Sequence, residues 1–226
     1  MKTLCERIVK VKEYCAWALH GSRIPQDDTM SDMSFEPYAS RSHEKMKDVL
    51  MTPDAQGPAI HYYMIRGGSK KRNITVWESG TVGGEYIKTY GHYHVGNLDE
   101  TYWIVQGEGV ALLQKMVVEN GVPQPDKIEE FKAISVKAGD SVYMPSGYGH
   151  LVVNTGREWL VTADDSPVEG AGDSASMPGH ADYEMVKQMR GFAYYVVEKD
   201  GTPTLVPNAL YKEVRKTDFG GIAVVQ

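Results

Sequence analysis

The chain has 226 residues, 42% hydrophobic and 24% charged, enough apolar material for a substantial buried core. Its net charge of −6 repels nucleic acid and acidic membranes, so neither is expected as a partner, and any anion site has to be built locally. Two cysteines, Cys5 and Cys15, are too few for a disulfide framework, and charges from Lys2 to Glu13 break any apolar leader, so a cytoplasmic, reducing location is expected.

Residues 4–19 place Leu4, Ile8, Val11, Cys15 and Leu19 at helical spacing and predict an amphipathic helix. Residues 21–40 predict a loop crossing the surface. A short helix over 42–51 is entered at Ser42, and TPDAQGP (52–58) reads as a turn. Residues 1–57 therefore form an expected helical and loop extension on a β domain spanning 58–226.

From Ala59 the character changes. AIHYYMIR, NITVWES, GEYIKTY, ETYWIVQ, GVALLQKMV, FKAISV, SVYMP, HLVVN and WLVTAD follow one another, rich in β-branched and aromatic residues. Turn residues such as GTVGG, QGEG, ENGVPQPD and PSGYG separate them, the rhythm of an antiparallel sandwich or barrel. SPVEGAGDSASMPGH reads as a loop, residues 181–190 as a helix, and FAYYVVEKDGTPTLV as a hairpin turning at Asp200-Gly201.

The chemistry concentrates in YGHYHVGNLDE (90–100). On a strand, His92 and His94 point to one face, because the side-chain period is two, and two imidazoles on one face can share an ion. Glu100 opens the next apolar strand, so a bend through VGNLD can bring it beside them. A further ligand has to come from elsewhere in the chain. For His20 and His43 the reading is solvated surface.

A second segment, GDSVYMPSGYGHLVVN, spaces Gly139, Pro145, Gly147, His150 and Asn154 as the second motif of the cupin superfamily does, which it resembles. Glu100 and Gly107 keep the closing spacing of the first cupin motif. The gap from His94 to Glu100 is longer than in the common pattern, and position 86 is Tyr where a Gly is usual. The resemblance implies a mainly β, double-stranded β-helix (jelly-roll) barrel with peripheral helices, and a metal held by His92, His94, Glu100 and His150. Asp99 is the rival to Glu100; the distance to Gly107 favours Glu100 and leaves Asp99 as a turn residue.

Within the cupins, residues 58–200 resemble the cupin-type glucose-6-phosphate isomerases of archaea and bacteria. The shared features are Thr75 on the strand before the site, V-G-x-E at 82–85, T-x-G-H-x-H at 89–94 and Glu-x-Tyr at 100–102. G-x-G-x-x-L-L-Q at 107–114, Val142 to Asn154, and Gly179-His180-Ala181-Asp182-Tyr183 with one inserted Ala complete them. The resemblance implies aldose–ketose isomerisation of a sugar phosphate, in glycolysis or gluconeogenesis, by a homodimer. It implies a divalent ion, Fe2+ first, with Zn2+, Mn2+ or Ni2+ as alternatives. Thr75, Thr89 and Gly91 would hold the phosphate. Glu100 would stand at the metal and the C1–C2 pair, Tyr102 would touch the sugar, and His180 and Tyr183 would close the site. An isomerase of another sugar, a cupin dioxygenase using the same three histidines and one glutamate, and a non-catalytic sugar-binding cupin stay open as alternatives.

Overall fold

The computed structural model describes residues 39–65, 73–166 and 181–225. The predicted helix over 4–19 and His180 lie outside the described residues. In chain order come β1 (Ala39–Ser42), α1 (His43–Met46), β2 (Ile60–Ile65), β3 (Asn73–Trp77), β4 (Thr81–Val82), β5 (Glu85–Tyr86), β6 (Tyr93–His94), β7 (Glu100–Gln106) and β8 (Glu108–Glu119). Then follow β9 (Val122–Lys137), β10 (Ser141–Met144), β11 (Tyr148–Asn154), β12 (Leu160–Asp164), β13 (Ala181–Asp182), α2 (Glu184–Gln188), β14 (Tyr194–Lys199) and β15 (Thr202–Pro207). The last are β16 (Glu213–Val214), β17 (Thr217–Asp218) and β18 (Ala223–Val224).

One six-stranded sheet runs β1-β2-β3-β12-β7-β10, and a second runs β11-β8-β9-β16 with β17 also on β9. A third is ordered β18-β15-β14-β5-β4. Tyr62, Trp77 and Ile104 from the first sheet pack into one core with Leu112, Phe131 and Leu151 from the second. Burying Leu112 or Phe131 contributes about 2–3 kcal/mol each. The mainly β cupin architecture is thus present, and the site sits where the two sheets meet.

The strand pattern follows the sequence reading, with physical exceptions. ENGVPQPD is not an eight-residue turn: Asn120 and Gly121, at φ 52° and 78°, make a two-residue turn, and Val122 onward continues as β9. Two left-handed residues match the twist of paired strands, which lets β8 and β9 run long. The hairpin at Asp200-Gly201 has the same geometry, at φ 52° and 76°, where it was predicted.

Residues 181–190 are not one helix. Ala181 and Asp182 pair with His94 and Tyr93 as β13, and only Glu184–Gln188 is helical. Pairing with β6 competes with the local helical pattern and wins at the first two residues. The predicted loop over 21–40 also ends early, because Ala39 and Ser40 belong to β1, paired with Met64 and Tyr63. Ser42 caps α1 as predicted, with Ser42 Oγ accepting from Lys45 N at 3.4 Å, but the predicted helix over 42–51 is α-helical only over His43–Met46 and tightens to a 3-10 turn at Lys47–Val49. His43 is half-buried rather than solvated: it stacks on His61, Nδ1 3.0 Å from Nε2. Among the described residues no helix is long and apolar enough to cross a membrane.

Candidate metal centre and substrate cavity

Beyond β5, the segment leading to β6 leaves regular pairing and touches β11 through two isolated bridges, Lys88 with Val153 and His92 with His150. GEYIKTY is therefore a strand only at Glu85–Tyr86. His92 N and His150 N each donate to the other residue's carbonyl, at 3.3 and 3.0 Å, so the two histidines stand directly opposite one another. Glycine makes this approach feasible. Gly91 has φ +82°, and a Cβ there would meet Leu151 Cβ at 3.2 Å. A Cβ on Gly149 would meet the Tyr93 ring at 2.7 Å.

β7 carries Glu100 in from the other sheet, paired with Met144 of β10. His92, His94, Glu100 and His150 each offer a ligand atom, all within 4.8 Å of one another. The His92 ring centroid lies 5.1 Å from that of His94 and 4.5 Å from that of His150. His94 Nδ1 is 3.1 Å from the Leu98 carbonyl, which only accepts. The proton therefore sits on Nδ1 and the Nε2 lone pair is presented to the cluster. The long VGNLD spacer supplies that carbonyl. Asp99 is exposed and accepts from the Tyr143 hydroxyl, away from the cluster.

Glu100 Oε1 is buried, 2.7 Å from His150 Nε2 and 3.8 Å from His94 Nε2, yet lacks a properly directed hydrogen bond. His150 Nδ1 is buried without a hydrogen-bond partner. Nitrogen lone pairs and a carboxylate oxygen converging in a buried space fit a divalent transition-metal ion. Burial pushes the Glu100 carboxyl up, but the His150 and His92 imidazoles and the Ser166 hydroxyl outweigh it and hold the acid well below its usual range. Burial lowers His94 despite the pull of Glu100, which favours the neutral imidazole that a metal needs.

Beside the cluster lies a small cavity of about 50 Å³. Its wall includes every substrate contact predicted within the described residues: Thr75, Thr89, Gly91, Tyr102 and Tyr183, beside His92 and His150. Thr75 pairs with Thr162 across β3 and β12, and Thr89 Oγ1 accepts from Val152 N at 3.1 Å. The Tyr102 hydroxyl is 3.5 Å from His150 Nε2. Burial, with Glu100 and Asp164 nearby, holds that phenol well above its ordinary value, so it stays protonated. The Tyr183 ring sits against His92, centroids 5.3 Å apart.

Sequence reading missed Tyr62, Asp164 and Ser166, which also line this cavity. Ser166 Oγ contacts Glu100 Oε2 and lies 2.7 Å from Asp164 Oδ1, which also accepts from Asn73 Nδ2 at 2.8 Å. Tyr62 is pushed up to about 12, by burial first, and stays a neutral phenol. Asp164 sits opposite Tyr102 in the β12–β7 register, and that pairing across more than sixty residues left no local signal.

A β barrel that brings three imidazoles and one carboxylate together from β6 and the residues just before it, β7 and β11 defines a cupin with a candidate metal centre. The family description "Glucose-6-phosphate isomerase" matches residues 52–210. The glucose-6-phosphate isomerase of Thermococcus kodakarensis is 33% identical over 164 residues, 70% of this chain and 76% of the relative. That of Pyrococcus furiosus is 33% identical over 167 residues, 71% and 77% of the two chains. The putative glucose-6-phosphate isomerase 2 of Rhizobium meliloti is 32% identical over 108 residues, 47% and 48%. Among solved structures, Lactobacillus farciminis oxalate decarboxylase overlaps 42% of this chain and 23% of its own, at 19% identity and TM-score 0.29. The chain belongs to the glucose-6-phosphate isomerase family and is an enzyme of that family.

Proposed function

We propose that the chain interconverts glucose 6-phosphate and fructose 6-phosphate in a metal-dependent aldose–ketose isomerisation. One observation carries this reading: the family match over 52–210 spans all the cavity and cluster residues, and they converge in one place. One divalent ion per subunit is held by His92, His94, Glu100 and His150, with Fe2+ the first choice and Zn2+, Mn2+ or Ni2+ as alternatives. When bound, the ion stabilises negative charge developing on the substrate oxygens.

The chain's own residues do the rest. Glu100, ionised and adjacent to the cavity, removes the proton from one carbon of the C1–C2 pair and returns it to the other. Tyr102 gives its phenolic proton to O1 as the carbonyl there becomes a hydroxyl and recovers one from O2 as the ketose forms, so the phenol ends neutral as it began. Thr75, Thr89 and the Gly91 backbone hold the phosphate with neutral donors, which suits an acidic protein. Tyr183 closes the wall over His92, and the family resemblance assigns His180 a part in closing the site. The enzyme acts as a cytoplasmic homodimer, which sedimentation of the full chain tests.

The decisive experiment is a coupled isomerase assay on chain stripped of metal and reconstituted with each of Fe2+, Mn2+, Ni2+ and Zn2+, with His92→Ala as control. Conversion that depends on added metal and disappears in the control is expected. No conversion with any of the four ions sinks the reading.

A further inference from the structure

Arg41 lies outside the segment that matches the family, on β1 opposite Tyr62. Its side chain is buried, with 6% exposure. Nε donates to the Tyr62 hydroxyl oxygen at 3.2 Å, and the guanidinium carbon stands 5.4 Å from the centre of the Tyr183 ring. Both phenols line the substrate cavity. An adjoining cavity of about 270 Å³, lined by Arg41, Lys45, Asp48, Tyr90 and Lys187 among others, shares Tyr183 as its partition.

The Tyr62 hydroxyl is a small accounting problem. A phenol oxygen accepts two hydrogen bonds and donates one. Arg41 Nε takes one acceptor position, and Tyr90 N, 3.4 Å away, takes the other. The phenolic proton is then left for a third direction, and the open space beside Tyr62 is the cavity. Tyr90 stands between Thr89 and Gly91, two of the three residues proposed to hold the phosphate. A hydroxyl that accepts from a cation is also a stronger donor, because hydrogen bonds in series polarise one another.

We propose that Arg41 is a positioning residue of the substrate's anion subsite: by occupying the Tyr62 oxygen it turns the Tyr62 proton towards the phosphate held at Thr89–Gly91. The arrangement places a buried positive charge one phenol away from the bound anion, within a chain of net charge −6. This inference rests on the phosphate placement proposed above.

The test uses the full, metal-reconstituted chain. Arg41→Met is expected to raise KM for glucose 6-phosphate and Ki for inorganic phosphate by about tenfold, the size of one charge-assisted contact, with kcat within about twofold. Arg41→Lys is expected to restore part of both. A merely structural role would lower the active fraction and kcat, leaving KM and Ki where they were. If Arg41→Met does not fold, Tyr62→Phe removes the donated proton while keeping the guanidinium, and the same rise in phosphate Ki is expected. Unchanged KM and Ki in the variants, with an active wild type, overturn this inference alone. A wild type that neither turns over nor binds phosphate overturns the proposed function and this inference together.

Discussion

Two buried carboxylates lie fifteen positions apart on the same stretch of chain, and they are solved differently. Glu85 is 1% exposed and Glu100 is 3% exposed. Glu85 meets Lys88 Nζ at 2.5 Å and accepts from Met51 N at 2.8 Å, while Lys88 also donates to the Val49 carbonyl at 2.7 Å. Its counter-charge is permanent and built into the chain. Glu100 meets imidazoles, which are neutral in the state that binds metal. A buried charge needs compensation, so the first cluster is closed and pins residues 49–51 to the barrel, while the second invites a cation. The difference separates a structural ion pair from a site.

That contrast can be broken from either side. Glu100→Gln keeps the shape and removes the charge. Isomerase turnover on reconstituted protein should fall by about 10²- to 10⁴-fold and the bound metal should wash out on gel filtration. Urea unfolding of the metal-free variant should stay within about 1 kcal/mol of wild type. A variant that keeps both metal and rate would remove Glu100 from the chemistry. Lys88→Met should do the reverse, costing about 3–5 kcal/mol in urea unfolding because Glu85 is left buried without its cation. Adding Glu85→Gln should recover most of that loss, and metal content should be unchanged throughout. A loss in the double variant equal to the sum of the singles would mean that the pair is not coupled.

How much was legible in the sequence follows the same division. His92 and His94 were readable as a pair because the strand period puts them on one face, and Glu100 and His150 joined them through the cupin-motif resemblance; the structure brings the four together, and the glycines at 91 and 149 that let the histidines approach are local features. Thr75, Thr89 and Tyr102 were readable through the family resemblance, and the structure brings them to one wall. Arg41 and Ser166 were not readable. Arg41 falls between the predicted loop over 21–40 and the predicted helix over 42–51, and it reaches the site only because β1 pairs with β2. Ser166 finds Glu100 across sixty-six residues by side-chain contact alone. The start of α2 was misplaced for a related reason: Ala181-Asp182 has helical neighbours, but β6 offers ladder partners that no local pattern encodes.

His61 tests a closed cluster from another direction. Burial, then His43, then Lys88 lower it to about 4 from an ordinary 6.5. The folded chain therefore keeps this imidazole neutral while the unfolded chain takes up a proton. Its contribution is complete above about pH 6.5 and is lost as pH falls towards 4. The loss should be about 2 kcal/mol, seen as a steeper drop in urea stability between pH 7 and pH 4.5 than His61→Gln shows. Equal slopes in the two proteins would contradict it.

The smallest expected effect probes how the open site holds its carboxylate. Ser166 has one hydroxyl proton and two carboxylates against it, Glu100 and Asp164. Asp164 Oδ1 already accepts from Asn73 Nδ2 at 2.8 Å and from Ser166 N at 3.1 Å. The hydroxyl proton gains more on Glu100 Oε2, which leaves Oε1 facing the imidazoles. Asn73 and Asp164 thereby fix Ser166, and Ser166 fixes which oxygen of Glu100 an ion would meet. Partners of this kind orient metal ligands and change affinity by about 10–100-fold when removed. Ser166→Ala should sit at the lower end, about tenfold weaker metal binding in chelator competition, because His150 still faces Oε1. Ser166→Thr, which keeps the hydroxyl, should bind as wild type does. Equal metal affinity in all three proteins would show that the imidazoles alone orient Glu100.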